Sequence, residues 1–259
     1  GSSLLAPAGE MLYVTADGVD ALLRADGPMA EAVTAGDGSP ITGPAEVSAA
    51  DGTVYLAADH QGATALWRMA PGGTVASLVT TGEAIGEVAA VVDATDTAYV
   101  LVGGASPAVW TASLNGAASA AKVADLPAEA GEAVALDGSL LFVVDDPTAG
   151  LELWTTDGTA GGTGLLADVR AGGEGSSPTQ LTIADGRVYF VADDGQAGRE
   201  LWVTDGTEAG TTLARDINPG AVGSALSVLT AADGDLAFAA DEARWTSAGR
   251  RGDTLGLAD

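Results

Sequence analysis

The amino-acid sequence predicts an all-β fold, a six-bladed β-propeller with four antiparallel strands in each blade. Three observations carry this prediction: tryptophans recur at intervals of 43 to 48 residues, tyrosines and phenylalanines recur in step with them, and Asp-Gly pairs separate short β-rich runs. A regular interval of this length is typical of one structural unit repeated along the chain. The recurring tryptophans are Trp67, Trp110, Trp154, Trp202 and Trp245.

The recurring columns divide the chain into six repeats within a single domain that covers residues 1–259. Leu23 occupies the tryptophan position of the first repeat. The tyrosine column consists of Tyr13, Tyr55, Tyr99 and Tyr189, with Leu141 and Ala237 in the other two repeats, and the next column contains Phe142, Phe190 and Phe238. The predicted repeats are residues 1–38, 39–83, 84–128, 129–174, 175–222 and 223–259.

The fifth repeat shows the predicted strands most clearly. Two β-rich runs, residues 180–184 and 187–192, flank the pair Asp185-Gly186. Because Asp-Gly accepts the positive φ angles of a type I′ turn, these runs are predicted to form a hairpin. A third run at residues 199–204 and a fourth at 212–217 complete four antiparallel strands. The only helix-like stretches are short and alanine-rich, such as residues 117–121.

Both faces of these strands carry large apolar residues. Residues 188–191 read Val-Tyr-Phe-Val and residues 201–203 read Leu-Trp-Val, without the alternation of a half-exposed strand. A two-layer sandwich leaves one face of each sheet in water, whereas a propeller packs each four-stranded blade between two neighbours. We therefore expect the tryptophans, each with about 200 Å² of surface, to be buried between blades.

The charge balance excludes two classes of partner. The chain has 10 Lys and Arg residues against 36 Asp and Glu residues, a formal net charge of −26. A nucleic-acid interface needs a basic face, and an anionic membrane surface also attracts basic residues, so neither partner is expected. The sequence has no apolar stretch long enough for membrane insertion, and it has no cysteine for a disulfide or a thiolate metal site.

One motif occurs twice around the third predicted strand. Residues 152–159 read ELWTTDGT and are followed by Gly-Gly-Thr, and residues 200–207 read ELWVTDGT and are followed by Ala-Gly-Thr. This motif resembles the signature of the bacterial ELWxxDGT-repeat proteins. The resemblance implies a propeller-like, secreted or cell-surface bacterial protein without an established enzymatic activity. Whether the chain is a module of a longer surface protein stays open from the sequence.

The aspartates of this motif have a structural explanation. Asp157 and Asp205 each precede a glycine and a threonine, so each carboxylate is placed to accept hydrogen bonds from the following backbone N–H groups. The glycine takes the turn, and the threonine is placed to bond back across it. We favour this turn-forming role over a role in ligand binding.

A second aspartate column lies four residues after the tyrosine position, at the predicted end of the second strand. In a propeller these carboxylates would form a ring on the face that carries the second-to-third and fourth-to-first loops. Ca²⁺ takes six to eight oxygen ligands, so it is the cofactor that such a ring would suit. The alternative, which we favour, is that each aspartate caps its own loop. The candidate metal ligands are Asp17, Asp59, Asp145, Asp193 and Asp241.

Residue types used in catalysis are few. His60 is the single histidine, and the sequence has neither a cysteine nor a Gly-x-Ser-x-Gly turn to supply a nucleophile. We therefore expect a non-catalytic scaffold or adhesion-type propeller that binds a protein or an extracellular polymer or glycan through loops on one face. Two alternatives stay open: a calcium-dependent hydrolase or lactonase of the six-bladed type, and a propeller lectin with exposed tryptophans.

Overall fold

The computed structural model describes residues 3–8, 11–16, 19–26, 29–35, 38–39, 41–50, 53–60, 63–69, 75–78, 85, 88–94, 97–113, 120–232, 234–240, 243–247 and 256–258. In these ranges the chain is all-β, and it divides into two units, Gly1–Leu126 and Pro127–Asp259. The ranges contain no helix that is long and apolar enough to cross a membrane.

The described strands of the first unit form three sheets. The first sheet contains β1 (Ser3–Ala8), β2 (Met11–Ala16), β3 (Val19–Asp26) and β4 (Met29–Ala32). The second contains β5 (Thr34–Ala35), β6 (Thr42–Ala50), β7 (Thr53–His60), β8 (Ala63–Met69) and β9 (Val75–Leu78). The third contains β10 (Val88–Ala94), β11 (Thr97–Val102), β12 (Ala108–Ser113) and β13 (Ala120–Asp125). All are antiparallel meanders, except that β5 pairs in parallel with β9.

The described strands of the second unit form three antiparallel meanders of four strands each. The first contains β14 (Ala130–Leu136), β15 (Ser139–Asp146), β16 (Gly150–Thr156) and β17 (Gly164–Ala167). The second contains β18 (Thr179–Ala184), β19 (Arg187–Asp193), β20 (Arg199–Thr204) and β21 (Thr212–Arg215). The third contains β22 (Ser227–Ala232), β23 (Asp235–Ala240), β24 (Ala243–Ser247) and β25 (Gly256–Ala258).

The Asp-Gly pairs form the predicted hairpin turns. Between β14 and β15, Asp137 and Gly138 have φ angles of 49° and 86°, and between β18 and β19, Asp185 and Gly186 have φ angles of 47° and 68°. Two consecutive positive φ angles are those of the type I′ turn, whose twist matches that of antiparallel strands. The turn chemistry read from the sequence is therefore confirmed at both positions.

The middle sheet of the second unit is covered on both faces, as the sequence predicts. Phe190 and Val188 of β19 pack with Leu141, Val143 and Leu153 of the preceding sheet. On the opposite face, Val191 and Tyr189 pack with a second cluster. That cluster includes Leu201, Leu236 and Phe238. Burial of one such aromatic side chain contributes about 1.5–3 kcal/mol to the free energy of unfolding. The two clusters therefore stabilise β19 from both faces.

The tryptophan column is buried only in part. Trp67 is 3% exposed and Trp110 is 5% exposed, as expected for residues packed between sheets. Trp154 and Trp202 are half-buried, although Trp202 packs against the cluster around Phe190. Each of these two indoles is opposite a leucine of a four-residue outer strand, β17 or β21.

Two strands differ from the sequence prediction. The fourth strand of the fifth repeat ends at Arg215 instead of residue 217, because the N–H groups of Ile217 and Asn218 donate to the Glu200 carboxylate, not to a neighbouring strand. Of the alanine-rich residues 117–121, residues 117–119 lie outside the described residues, and Ala120 and Ala121 belong to β13, which pairs with β12. Pairing along the sheet therefore outweighs the helix propensity of alanine there.

The first strands of the three sheets in the second unit, β14, β18 and β22, each contain a β-bulge. Hydrogen bonds from these bulges connect neighbouring sheets. The register shifts once in each of β14, β18 and β22, and the bulges contain residues 131–132, 180–181 and 228–229. Glu132 Oε2 accepts a hydrogen bond from the Leu181 N–H (3.0 Å), and Gln180 Oε1 accepts one from the Leu229 N–H (3.1 Å). A side chain in the first strand of one sheet thus binds the backbone of the first strand of the next sheet.

Val228 carries backbone strain at its bulge, because it has a φ angle of 55° and a branched Cβ. Its side chain is 71% exposed, so little packing would be lost on substitution. Because asparagine tolerates positive φ, we expect Val228→Asn to raise the free energy of unfolding by about 1 kcal/mol, or the Tm by about 2–4 °C. The matched control is Val222→Asn, at a 91% exposed valine that is not among the positive-φ residues. Equal effects of the two substitutions in a urea titration would contradict the strain argument.

Candidate functional site

Loops that follow the second and fourth strands meet at one edge of the sheets β14–β17 and β18–β21. In an antiparallel meander the second-to-third loop and the linker to the next sheet leave from the same end. We call this region the acidic loop edge and define it as residues 145–150, 168–178, 193–198 and 216–226. Its exposed carboxylates are Asp145, Asp168, Glu174 and Asp216.

Aspartates at the ends of β15 and β19 cap the loops that follow. Asp146 Oδ1 accepts hydrogen bonds from the Thr148 N–H (2.7 Å), the Thr148 hydroxyl (2.5 Å) and the Ala149 N–H (3.0 Å). In the next repeat, Asp194 Oδ1 accepts from the N–H groups of Gln196 and Ala197, each at 2.8 Å. The bonds from the Thr148 hydroxyl and backbone lower the pKa of Asp146, so the cap stays ionised. These caps hold both loops in one conformation.

The predicted metal ligands divide into three groups. Asp145 is exposed at the end of β15, and Asp193 is half-buried at the end of β19. Asp59 lies near the end of β7, in the first unit. Asp17 and Asp241 lie outside the described residues. Within the described ranges no three His, Cys, Asp or Glu side chains are grouped so that they could hold a metal ion.

Both carboxylate oxygens of Asp193 already have partners. Oδ1 accepts a hydrogen bond from the Gly195 N–H (2.8 Å), which is the loop-capping role. Oδ2 lies 3.3 Å from Nη1 of Arg170, whose other guanidinium nitrogen pairs with Glu174. A Ca²⁺ ion at Asp193 would have to displace this guanidinium. Arg170 therefore joins the linker of one sheet to a loop of the next.

The glutamate of the first ELW motif is buried under the linker. Glu152 is 0% exposed, and its Oε1 accepts hydrogen bonds from the N–H groups of Arg170 (3.0 Å) and Ser176 (2.8 Å). Its Oε2 accepts from the Ser176 hydroxyl at 2.5 Å. Burial raises the pKa of Glu152, while the bonds from Ser176 and Arg170 act in the opposite direction. One side chain thus holds both ends of the loop from residue 170 to residue 176.

The second ELW motif repeats this arrangement. Glu200 is also 0% exposed and accepts hydrogen bonds from the N–H groups of Ile217 (2.9 Å) and Asn218 (3.2 Å). The Ser224 hydroxyl donates to Glu200 Oε2 at 2.7 Å. The Asn218 amide donates in turn to the Gly223 carbonyl at 2.7 Å. Both linkers of this edge are therefore closed around a buried carboxylate.

Glycine is required where each linker crosses the start of the third strand. Gly175 has a φ angle of 65°, and a Cβ there would clash with the backbone N of Leu151 and lie 2.7 Å from its carbonyl oxygen. Gly223 makes the same close approach to Arg199. Two backbones in contact leave no room for a side chain, so the linker can reach the buried glutamate only with glycine here.

The DGT turns lie at the opposite edge of these sheets. Asp157 Oδ1 accepts hydrogen bonds from the Thr159 N–H (2.9 Å) and hydroxyl (2.7 Å), and Gly158 has a φ angle of 86°. Asp205, Gly206 and Thr207 repeat the geometry, with distances of 3.0 Å and 2.6 Å. These bonds, from the threonine hydroxyl first and its backbone second, lower the pKa of both aspartates. The predicted turn-forming role is confirmed.

Sequence reasoning missed the buried glutamates and their serine partners. The signal was present, because Glu152 and Glu200 are 48 residues apart, and so are the Gly-Ser pairs at 175–176 and 223–224. A charged residue between apolar neighbours in a strand is usually read as solvent-facing. This edge therefore exposes four carboxylates, while the buried carboxylates hold its loops.

Comparison with known proteins establishes the fold. The chain matches no protein-family model, and no curated protein matches its sequence. The β-propeller domain of the Trilobed protease from Pyrococcus furiosus, described as having an open velcro topology, aligns with a TM-score of 0.54 at 10% identity, covering 99% of this chain and 84% of that one. Puromycin hydrolase aligns with a TM-score of 0.52 at 18% identity, covering 99% of this chain and 46% of that one. Prolyl oligopeptidase B from Galerina marginata aligns with a TM-score of 0.52 at 10% identity, covering 95% and 42%.

At these identities the likeness concerns the fold alone. In the described ranges the chain is all-β, with sheets of four antiparallel strands, one of them extended by β5, and its fold is similar to that of known β-propellers. It spans less than half the length of the two hydrolases.

Proposed function

We propose that the chain is a non-catalytic interaction module, a six-bladed propeller that binds a protein or an extracellular polymer through the acidic loop edge. The observation that carries the proposal is the division of carboxylates at this edge. Glu152, Glu200, Asp146 and Asp194 hold the loops and Glu174 pairs with Arg170, whereas the exposed carboxylates of Asp145, Asp168 and Asp216 are left to face a partner. Loops ordered before binding lose little conformational entropy on association.

The charge of the edge defines the chemistry of the partner. A surface with four exposed carboxylates attracts a basic protein segment or a cationic group on a polymer, and such complementarity raises the association rate and the specificity. The net charge of −26 disfavours nucleic acid. The similarity of residues 152–159 and 200–207 to the ELWxxDGT signature supports a secreted or cell-surface location in a bacterium.

The absence of catalysis is part of this proposal. Because Trp67 and Trp110 are buried and Trp202 packs against the cluster around Phe190, these indoles are poorly placed as sugar-stacking platforms. We expect no turnover of ester, lactone or glycoside substrates, with or without added calcium. Robust turnover that a single substitution removes would overturn the non-catalytic assignment.

Binding at the edge is tested with a matched pair of triple variants on arrays of cationic peptides and extracellular glycans. In the first variant Asp145, Asp168 and Asp216 of the acidic loop edge become asparagine. In the control, Asp137→Asn, Asp185→Asn and Glu208→Gln remove three exposed charges from the opposite edge. We expect the first variant to weaken binding about tenfold or more at moderate ionic strength, and the control to weaken it much less. Equal losses would show that only net charge matters, against a site at this edge.

A further inference from the structure

The start of β20 contacts both linkers of the acidic loop edge. The first linker, residues 168–178, joins β17 to β18, and the second linker, residues 216–226, joins β21 to β22. Each linker is closed around a buried glutamate, the first around Glu152 and the second around Glu200. One residue of β20, Arg199, is hydrogen-bonded to the first linker and to the second.

Arg199 binds the first linker through its side chain. Its Nη1 donates to the Ser177 carbonyl at 3.0 Å, and its Nη2 donates to the Thr179 hydroxyl, just beyond the linker, at 2.7 Å. Ser177 directly follows Ser176, the serine that donates to Glu152. Ser177 also has a φ angle of 52°, which is a strained conformation for a residue other than glycine. The guanidinium therefore holds the first linker at a strained residue beside the buried carboxylate.

Arg199 binds the second linker through its backbone. Its carbonyl accepts a hydrogen bond from the Ser224 N–H at 2.9 Å, and the Ser224 hydroxyl donates to Glu200 at 2.7 Å. Gly223 lies so close to Arg199 that an added Cβ would clash with the Arg199 backbone N. A displacement of Arg199 therefore reaches the serine donor of Glu200 directly, and it reaches the donor of Glu152 through the neighbouring residue.

The preceding repeat separates the side-chain contact from the backbone contact. Leu151 occupies the position of Arg199, 48 residues earlier, and its carbonyl accepts a hydrogen bond from the Ser177 N–H at 3.0 Å. Gly175 approaches Leu151 as Gly223 approaches Arg199. A leucine at this position thus keeps the following linker against the third strand, but its side chain has no hydrogen-bond donor. We therefore expect Arg199→Leu to remove the guanidinium contacts and to keep the backbone contacts.

We propose that the Arg199 side chain couples the two linkers, so that loosening one of them makes the other easier to open. Two elements are coupled when a group held in one arrangement binds both, and such coupling acts equally in the two directions. A partner that displaces one linker then also alters the other, and the acidic loop edge responds to binding as a unit. The coupling belongs to the chain without a partner, so its test is independent of the proposed binding.

A double-mutant cycle on the full chain measures the coupling. Ser176→Ala and Ser224→Ala each remove a hydroxyl that donates to a buried glutamate, and a urea titration gives the unfolding equilibrium constant of each single variant and of the double variant. Effects at independent sites multiply within about twofold. We expect the double variant to depart from the product of the single effects by about fivefold or more, and this departure to disappear in the Arg199→Leu background.

The control cycle uses a hydroxyl at the opposite edge of the same sheet. Thr207→Ala removes the hydroxyl that donates to Asp205, so it resembles Ser224→Ala in chemistry but has no contact with Arg199 among those that carry the proposal. Combined with Ser176→Ala, it should multiply within about twofold. A departure as large as that of the Ser176 and Ser224 cycle would show general destabilisation of the sheet and would overturn the proposal.

Hydrogen exchange shows where the coupling acts. We expect Ser176→Ala to speed the exchange of backbone amides within residues 216–226 by about threefold or more, although the substitution lies in the other linker. In the Arg199→Leu background the same substitution should leave those amides unchanged. Arg199→Lys is the second background if the leucine variant does not fold, because lysine keeps the charge but lacks the planar pair of donors. The proposal is overturned by a multiplicative cycle in the unmodified chain, by a departure that persists without the guanidinium, or by exchange within 216–226 that does not respond to Ser176→Ala.

Discussion

Replacing Glu152 by alanine is expected to lower the free energy of unfolding by about 3–5 kcal/mol, because two buried donors and one part-buried donor would lose their acceptor, at about 1–3 kcal/mol for each buried one. The donors are the N–H groups of Arg170 and Ser176 and the Ser176 hydroxyl. A urea titration followed by tryptophan fluorescence measures the loss. We expect the linker at residues 168–178 to open with it, which hydrogen exchange would detect.

The neutral variant Glu152→Gln is the control for this substitution. Glutamine keeps a carbonyl oxygen for the two N–H donors, and its amide can donate to the Ser176 hydroxyl, so we expect most of the stability to be retained. An alanine variant as stable as the glutamine variant would contradict the structural role of the buried side chain.

The difference in stability between the unmodified chain and Glu152→Gln is expected to depend on pH. Burial raises the pKa of Glu152 in the folded state, so the folded protein binds this proton more tightly than the unfolded chain does. The contribution of protonated Glu152 to stability is therefore complete below the ordinary carboxyl pKa, and it is lost as the pH rises through the folded-state pKa of Glu152. We expect the stability of the chain relative to Glu152→Gln to fall as the pH is raised from about 4 to about 8. An opposite slope would mean that the hydrogen bonds outweigh burial.

Gly175→Ala is expected to destabilise the protein by about 3–5 kcal/mol, through strain at positive φ together with overpacking. The added Cβ would meet the backbone of Leu151, which belongs to β16 and cannot move without breaking the sheet. The measurement is again the free energy of unfolding, supplemented by the yield of soluble protein if the variant does not fold.

Two further glycines separate the causes of that loss. Gly172 has a φ angle of 100° with nothing within 4 Å of an added Cβ, so Gly172→Ala should cost only the φ strain, about 1–2 kcal/mol. Gly161 has open space and is not among the positive-φ residues, so Gly161→Ala should be close to neutral. A Gly175→Ala variant no worse than Gly172→Ala would show that the linker does not press against β16.

Local features of the fold were predictable because each depends on neighbours in the sequence. The turn at Asp185-Gly186, the strand Arg199–Thr204 and the cap formed by Asp157 each rest on interactions within a few residues. The apolar runs at residues 188–191 and 201–203 also predict correctly that β19 and β20 are covered on both faces. Among the candidate ligands, Asp193 has the predicted loop-capping bond, while a metal at the other positions stays a prediction.

Other features depend on residues far apart in the chain. Glu152 is buried because the chain returns through Arg170 and Ser176 and places three donors around its carboxylate. Thr34–Ala35 is a strand only because β9 offers it an edge. Neither segment has a local pattern that distinguishes it from a solvent-facing carboxylate or a loop.

The sequence by itself determined the all-β class, most strands of the fifth repeat and the Asp-Gly turns, because backbone conformation and apolar periodicity act over short distances. The tertiary structure alone decided which carboxylates are buried and which face solvent, since burial depends on where a linker returns. It also decided that Thr34–Ala35 pairs with β9. For this protein the first of these decisions places the acidic loop edge, where the proposed binding is to be tested.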